Sequence, residues 1–230
     1  MSQGLEPSQY DKCLYFGHDV IVVTYVDDCL FFSKSGASIG ALNSSLQQPN
    51  PATGKPDFRL EVEGSSEKDD SVFAFLGVSL LMDDKGNNKI ITLKQTGLIE
   101  KILWVTGMTE CNPNATPLLK KPLGTDAKGA PCKHSWDYVQ VVGMLMYLCS
   151  NARPDIQFAV HQCARFTHSP RHSHEQAILR ICRYLKGTST QGMTFKTKRN
   201  GIPHLDLYCD ADFAGLWNTE DHQDPACVKS

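Results

Sequence analysis

The sequence predicts an α+β fold in which hairpin strands come first and helices follow. Over residues 10–94, β-branched and aromatic runs alternate with Gly, Asp and Asn clusters, which is typical of strands joined by turns. Beyond residue 135 the apolar residues recur every three to four positions, which indicates amphipathic helices. Residues 109–135 lie between the two regions and are rich in Pro and Gly, so they are expected to form an extended strap.

The first region is expected to contain hairpins and two helices. Its predicted elements, in order, are strands on both sides of Asp27-Asp28, a helix over 37–47, strands over 58–62, 72–82 and 89–93, and a helix over 95–105. Residues 83–88 have the composition of a hairpin loop. Gly107 is the expected end of the second helix, because glycine adopts the left-handed conformation found there.

Three further helices are expected after the strap. The first covers residues 136–150, and Asp155 is the expected cap of the second. The third opens with the capping-box spacing of Ser173-His174-Glu175-Gln176 and ends at Gly187. Short strands are expected over 193–195 and 205–208.

Composition excludes several classes of protein. The hydrophobic share of 41% is enough for a core, and no apolar run is long enough for a membrane span. The N-terminus lacks the pattern of a signal peptide. The nine cysteines form no Cys-x-x-Cys pair, and several lie in apolar periodic segments, which favours buried thiols in a reducing compartment. We therefore expect an intracellular protein that is not secreted and has no membrane partner.

The charge is unevenly distributed. The whole chain has a net charge of −2, yet residues 151–200 hold nine Lys and Arg side chains against two acids. Such a basic tract is a candidate surface for phosphate groups. Solvated helix faces would have the same composition, so charge alone leaves both interpretations open.

The segment Tyr25-Val26-Asp27-Asp28 places two adjacent carboxylates between two apolar runs. A hairpin tip of this kind can hold carboxylates rigidly enough to bind magnesium against nucleotide phosphates. Asp is also an ordinary turn residue, because its side chain bonds its own backbone. Four residues cannot separate these alternatives.

Six motifs in order decide between them. They are Tyr25-Val26-Asp27-Asp28, Phe75-Leu76-Gly77, Val142-Gly143-Met144-Leu145-Met146-Tyr147-Leu148, Arg153-Pro154-Asp155-Ile156, Arg183-Tyr184-Leu185-Lys186-Gly187-Thr188 and Asp210-Ala211-Asp212-Phe213-Ala214-Gly215. Together they closely resemble the reverse transcriptase of copia-type LTR retrotransposons, and the resemblance covers nearly the whole chain.

The resemblance implies a division into four parts. Residues 1–108 would be the distal palm with its Asp-Asp hairpin, and residues 109–135 a Pro-rich linker. Residues 136–190 would be the helical thumb or connection. Residues 191–230 would be the truncated start of a ribonuclease H-like domain.

The resemblance also implies the site residues and their metal. The family transfers phosphoryl groups with two Mg²⁺ ions. Asp27 would be the principal metal ligand of the hairpin and Asp28 the secondary one, while Tyr25 and Val26 would support the floor beneath the primer end. The strands around residues 75–78 resemble the part of the palm that positions the primer. Asp210 matches the first metal-binding carboxylate of the ribonuclease H domain.

The expected partners are an RNA template and a DNA primer. Arg180, Arg183 and Lys186 are the candidates for contacts with the duplex backbone, because their spacing places them along one side of a helix. Such contacts would have no sequence preference.

The chain also departs from the family pattern. The first catalytic Asp of the palm lies well upstream of the Asp-Asp hairpin, and none of the acids that precede Asp27 has that context. The later ribonuclease H acids have no match either. We therefore expect a fragment that does not polymerise DNA alone, with magnesium binding that is weak or absent.

Three alternatives remain open. The chain could be a non-catalytic module that binds nucleic acid, or it could complement a separate fingers–palm chain or the remainder of the polyprotein. A zinc site is the third alternative, with its ligands taken from His161, Cys163, His168, His172 and His174.

Overall fold

The computed structural model describes residues 4–56, 58–61, 72–85, 88–118, 123–198 and 207. The chain divides into two units, residues 1–75 and 76–230, and each is described by itself. Helices and antiparallel sheets occur together, so the predicted α+β class is confirmed. The predicted strand over 205–208 and the predicted site residue Asp210 lie outside the described residues.

The first unit is built on an antiparallel sheet whose strands follow chain order. The strands are β1 (Glu6–Pro7), β2 (Leu14–Phe16), β3 (Val20–Tyr25) and β4 (Asp28–Ser33). Helix α1 (Gly36–Leu46) follows and packs against β4. The predicted hairpin and the predicted helix over 37–47 are therefore both present.

One face of this sheet is covered and the other is not. Val20 and Val22 are buried. On the opposite face, Phe16, Ile21 and Phe32 form a row across β2, β3 and β4. All three are partly exposed, and Phe32 keeps 44% of its surface. This apolar row is an uncovered surface of the kind that binds another protein segment.

The predicted strand over 58–62 is wrong for residues 58–61, which form no strand. An alternating apolar pattern is not sufficient, because a strand also needs a neighbour to accept its hydrogen bonds. A single bridge between Pro49 and Pro56 precedes this segment.

The second sheet has the order β5 (Val72–Phe75), β6 (Val78–Lys85), β7 (Asn88–Lys94) and β8 (Met193–Lys198). The prediction of one strand over 72–82 is wrong, because Leu76 and Gly77 separate β5 from β6. Both have positive φ, 52° and 71°, which is the pattern of a type I′ hairpin turn. Leucine is uncommon in that conformation, so the apolar run concealed the turn.

Strand β8 pairs with β7 along its whole length. This pairing joins residues 193–198 to residues 88–94 within one sheet. The structural units therefore divide at a different place from the boundaries predicted at 108, 135 and 190, which remain predictions about the parent protein.

The remaining predicted helices are all present, and they lie in the second unit. They are α2 (Thr96–Val105), α3 (Tyr138–Asn151), a 3-10 helix (Pro154–Ile156) that leads into α4 (Gln157–Ala164), and α5 (His172–Gly187). Their apolar faces meet in one core, whose fully buried members include Ile99, Leu145, Val160 and Ile178. Helix α2 ends as predicted, since Gly107 has φ 68° and Met108 donates its N–H to Leu103.

Two predicted helix starts differ in the structure. Helix α5 begins at His172, so Ser173 lies inside it and donates its hydroxyl to Asp126 instead of capping the helix. Asp155 lies in the 3-10 helix and binds Arg153 and Tyr184 instead of capping α4. Glu175 is buried in the first turn of α5, and its carboxylate accepts the backbone N–H groups of Lys133 and His134. Burial alone would raise the pKa of Glu175, but these hydrogen bonds outweigh it and hold that pKa below its ordinary value.

The Pro-rich strap runs along α5 in the opposite direction. Asn114 donates its N–H to the carbonyl of Arg183 near the end of α5, and the Arg180 guanidinium reaches Thr116. At the start of α5, His174 binds the carbonyl of Gly124. The strap is thus part of the second unit, fixed by hydrogen bonds at both ends of the helix.

Arg153 is the centre of a buried polar cluster. Its side chain is 1% exposed, and its Nε and Nη2 donate to the two carboxylate oxygens of Asp155 at 2.9 and 2.8 Å. Its guanidinium also donates to the carbonyl and hydroxyl oxygens of Thr188, directly after α5. Tyr184 completes the cluster by donating to Asp155, with its ring beside the guanidinium.

Replacing Arg153 by Met should lower the free energy of unfolding of the second unit by about 2 kcal/mol, because the Thr188 oxygens lose their charged donor while water can solvate the partly exposed Asp155. Urea unfolding followed by tryptophan fluorescence measures this loss. Arg183→Met, an exposed change on α5, should cost less than about 0.5 kcal/mol. Equal losses in the two variants would contradict the role of the cluster.

Candidate functional site

The Asp-Asp motif forms the tip of a tight hairpin. Tyr25, the last residue of β3, pairs directly with Asp28, the first residue of β4. Val26 and Asp27 alone form the connecting loop. A two-residue loop between paired strands holds its side chains in a narrow range of positions.

Val26 has an unfavourable backbone conformation. Its φ is 54°, and its side chain is 92% exposed. A β-branched residue rarely adopts positive φ, and Gly or Asn would avoid the strain at this position. Because the side chain packs against so little of the protein, stability does not explain the choice of valine. Strain of this kind is found at functional sites.

The two carboxylates are exposed and adjacent. Asp28 shares a face with Tyr25, because cross-strand partners point to the same side of a sheet. Burial, and then the charge of Asp28, raise the pKa of the neighbouring Cys29 thiol. Carboxylate oxygens are the protein ligands that Mg²⁺ prefers, and it commonly uses one or two of them together with substrate phosphates. The residues therefore fit this metal.

Larger metal-binding groups do not occur among the described residues, where no three His, Cys, Asp or Glu side chains come together. The zinc alternative is not supported there. His174 is a core residue whose Nδ1 accepts the backbone N–H of Arg171, while its Nε2 donates to the carbonyl of Gly124. Burial lowers the pKa of His174 and keeps its ring neutral.

The predicted row of basic residues on α5 is divided by its surroundings. Arg183 and Lys186 are exposed on the last two turns. Arg180 is only partly exposed, and its Nη2 donates to Thr116 of the strap at 2.9 Å. Arg183 and Lys186 are thus exposed to solvent, while one donor of Arg180 is used within the chain.

Comparison with known proteins identifies the family. The chain is 31% identical over 198 residues to an uncharacterized mitochondrial protein of Arabidopsis thaliana, covering 86% of this chain and 73% of that protein. It is 32% identical over 196 residues to the retrovirus-related Pol polyprotein from transposon RE1 of the same plant, and 30% identical over 218 residues to that from transposon TNT 1-94 of Nicotiana tabacum. The chain belongs to one family with this mitochondrial protein, and it is homologous to segments of the retrovirus-related Pol polyproteins of plant transposons.

It corresponds to only a segment of the polyproteins. The match covers 85% and 89% of this chain, but only 12% of the first polyprotein and 15% of the second. No family model matches the chain. No solved structure matches it either. In the part of the chain that the structure describes, no helix has the length and apolar character to cross a membrane.

Two of the quoted motifs bind each other in the scaffold of the second unit. Arg153 and Asp155 of one motif bind Tyr184 and Thr188 of the other, around the buried Arg153 guanidinium. Burial alone would raise the pKa of Asp155, but the hydrogen bonds from Arg153 and Tyr184 outweigh it and hold that pKa below its ordinary value. Sequence analysis quoted these residues as family motifs but did not predict that they bind one another.

A second pair of motifs is joined by Tyr147. The hydroxyl of Tyr147 on α3 donates to the carbonyl oxygen of Leu76 in the β5–β6 turn, 71 positions away in the chain. Spacing along the sequence carries no signal for such a contact. The Tyr147 hydroxyl thus links Leu76 of one motif to helix α3 of another.

Replacing Val26 by Asn should raise the free energy of unfolding of the Asp-Asp hairpin by about 1 kcal/mol, because Asn tolerates the left-handed conformation. Hydrogen exchange of the β3 and β4 amides during a urea titration measures the change. Val26→Ala, which removes the branch but keeps the Cβ, should gain less. Destabilisation by Asn would show that valine is not strained at this tip.

Proposed function

We propose that this Pol polyprotein segment is the distal palm and helical thumb or connection of a retrotransposon RNA-directed DNA polymerase. The observation that carries the proposal is the exposed hairpin tip, where strained Val26 presents Asp27 and Asp28 to solvent. Family membership supports it, because this tip belongs to a chain related to Pol polyproteins. By this proposal the segment holds part of a polymerase site and does not extend a primer alone.

The proposed chemistry assigns separate roles to the residues of the tip. Asp27 and Asp28 would hold Mg²⁺ through their carboxylate oxygens. Bound metal supplies positive charge that offsets the negative charge developing in phosphoryl transfer. Tyr25 and Val26 would lie beneath the primer end, which accounts for an exposed apolar side chain at a strained position. Asp210 would be the corresponding carboxylate of the ribonuclease H part.

The helical part would hold the template–primer duplex by its phosphates. Arg183 and Lys186 project from the end of α5, where the Arg153 cluster fixes the last turn. Phosphate contacts of this kind give affinity without sequence preference and weaken as salt rises. Arg180 would contribute less, because it already binds Thr116.

Replacing Arg183 or Lys186 by Gln should reduce the salt dependence of duplex binding. Each lost phosphate contact lowers the slope of log affinity against log salt by about 0.9. Fluorescence anisotropy with a labelled RNA–DNA hybrid over a range of NaCl concentrations gives the slope. Lys101→Gln, an exposed change on α2, is the control and should leave the slope unchanged. If neither Arg183→Gln nor Lys186→Gln changes the slope of log affinity against log salt, this interface is excluded.

The uncovered face of the first sheet favours a second candidate function, completion of the site by another polypeptide. Phe16, Ile21 and Phe32 are partly exposed on that face, and β4 is an edge of the sheet within the described residues. An edge strand and an apolar face together can accept a further strand. The polyprotein relatives are much longer than this chain, so the occupant would be the polypeptide that precedes the matched segment.

Primer extension tests both candidates. With Mg²⁺, an RNA template and a DNA primer, the chain alone should incorporate no nucleotide. Addition of the preceding polypeptide of a polyprotein relative should restore incorporation, and Asp27→Ala should abolish it. Asp19→Ala, at the other end of β3, is the control and should retain activity. Primer extension by the chain alone would show that its site is complete. If the mixture with the preceding polypeptide does not extend the primer, complementation is excluded.

A further inference from the structure

The turn between β5 and β6 has a backbone that the local sequence does not favour. Leu76 and Gly77 both have positive φ, and an added Cβ at Gly77 would meet no atom within 4 Å. Glycine adopts this conformation readily, whereas leucine does not. A contact from outside the turn is therefore needed to keep Leu76 in place.

Tyr147 provides that contact. Its hydroxyl oxygen lies 2.6 Å from the carbonyl oxygen of Leu76, to which it donates. This carbonyl lies in the two-residue turn, outside the strand ladder, so the Tyr147 hydroxyl can reach it. The bond fixes the direction of the peptide group between Leu76 and Gly77.

The helix that carries Tyr147 is a rigid base. Leu145 and Leu148, on either side of Tyr147, are fully buried in the helical core. The Tyr147 side chain itself is 44% exposed. A residue needed for packing alone would be more deeply buried and would not need a hydroxyl. The polar end of Tyr147 is thus the part of the side chain that the turn requires.

We propose that Tyr147 is a positioning residue that holds the Leu76–Gly77 turn in the orientation that meets the primer strand. This inference rests on the proposed function, in which the strands around residues 75–78 position the primer. Tyr147 acts through the turn and not on the reacting atoms. Its hydroxyl therefore sets how well the segment distinguishes a recessed primer end from continuous duplex.

The contact is tested first in the free chain. In Tyr147→Phe, which keeps the ring and removes the hydroxyl, hydrogen exchange at the amides of residues 76–78 should be about fivefold faster, as expected for one lost hydrogen bond. Tyr10→Phe is the matched control, since Tyr10 is 98% exposed in the first unit, and it should change nothing. Unchanged exchange in Tyr147→Phe would overturn the proposal.

The second experiment measures primer recognition. The affinities of the full chain for an RNA–DNA hybrid with a recessed 3′ end and for a blunt hybrid of the same composition are compared by fluorescence anisotropy. The original chain should bind the hybrid with the recessed end more tightly than the blunt hybrid. In Tyr147→Phe the ratio of the two affinities should fall about fivefold. The affinity of the variant for the blunt hybrid and its unfolding midpoint should not change. An unchanged preference would overturn the positioning role.

The two failures are distinguishable. If the original chain binds neither hybrid, the proposed function fails, and the role of Tyr147 at a primer fails with it. Faster hydrogen exchange in Tyr147→Phe would then show only that Tyr147 binds the Leu76 carbonyl. If the original chain binds both hybrids equally and the α5 variants weaken binding, duplex binding stands and only the positioning role is overturned.

Discussion

The Arg153 guanidinium lies in the interior of the second unit, where an uncompensated charge would be strongly unfavourable. Asp155 neutralises it through two parallel hydrogen bonds, and Thr188 accepts two more from it. This requirement brings the segment after α3 to the end of α5 and so determines how the helices are arranged. The strap along α5 and the exposed turns with Arg183 and Lys186 depend on that arrangement.

The chain separates its scaffold from its proposed chemistry. The scaffold residues bind one another, as in the cluster where buried Arg153 holds Asp155 and Tyr184 donates to the same carboxylate. The proposed chemical residues are exposed, as at the hairpin tip, where Asp27 and Asp28 contribute little to packing. This division has a physical basis, since a carboxylate that binds a metal and phosphates must keep its oxygens free of protein partners. Strain at Val26 is tolerated because the paired strands β3 and β4 outweigh it.

Local patterns predicted much of this fold. The hairpin around Asp27-Asp28 follows from β-branched runs beside turn residues, and the end of α2 follows from Gly107. Local patterns failed where a distant partner decides the outcome. Asp155 and Ser173 have the spacing of helix caps, yet Asp155 binds Arg153 and Ser173 donates its hydroxyl to Asp126. The Leu76 turn was missed because an apolar run does not reveal a reversal of chain direction.

The sequence by itself determined the α+β class, the order of most elements, the family resemblance and the adjacency of two carboxylates at a turn. These depend on neighbouring residues, whose period and propensity can be read along the chain. Only the tertiary structure decided that Arg180 is occupied by Thr116 while Arg183 and Lys186 remain exposed, and that Tyr147 holds the Leu76 carbonyl. Such contacts join residues far apart in the chain, and the free energy that selects them arises when the core packs and buried polar groups must find partners.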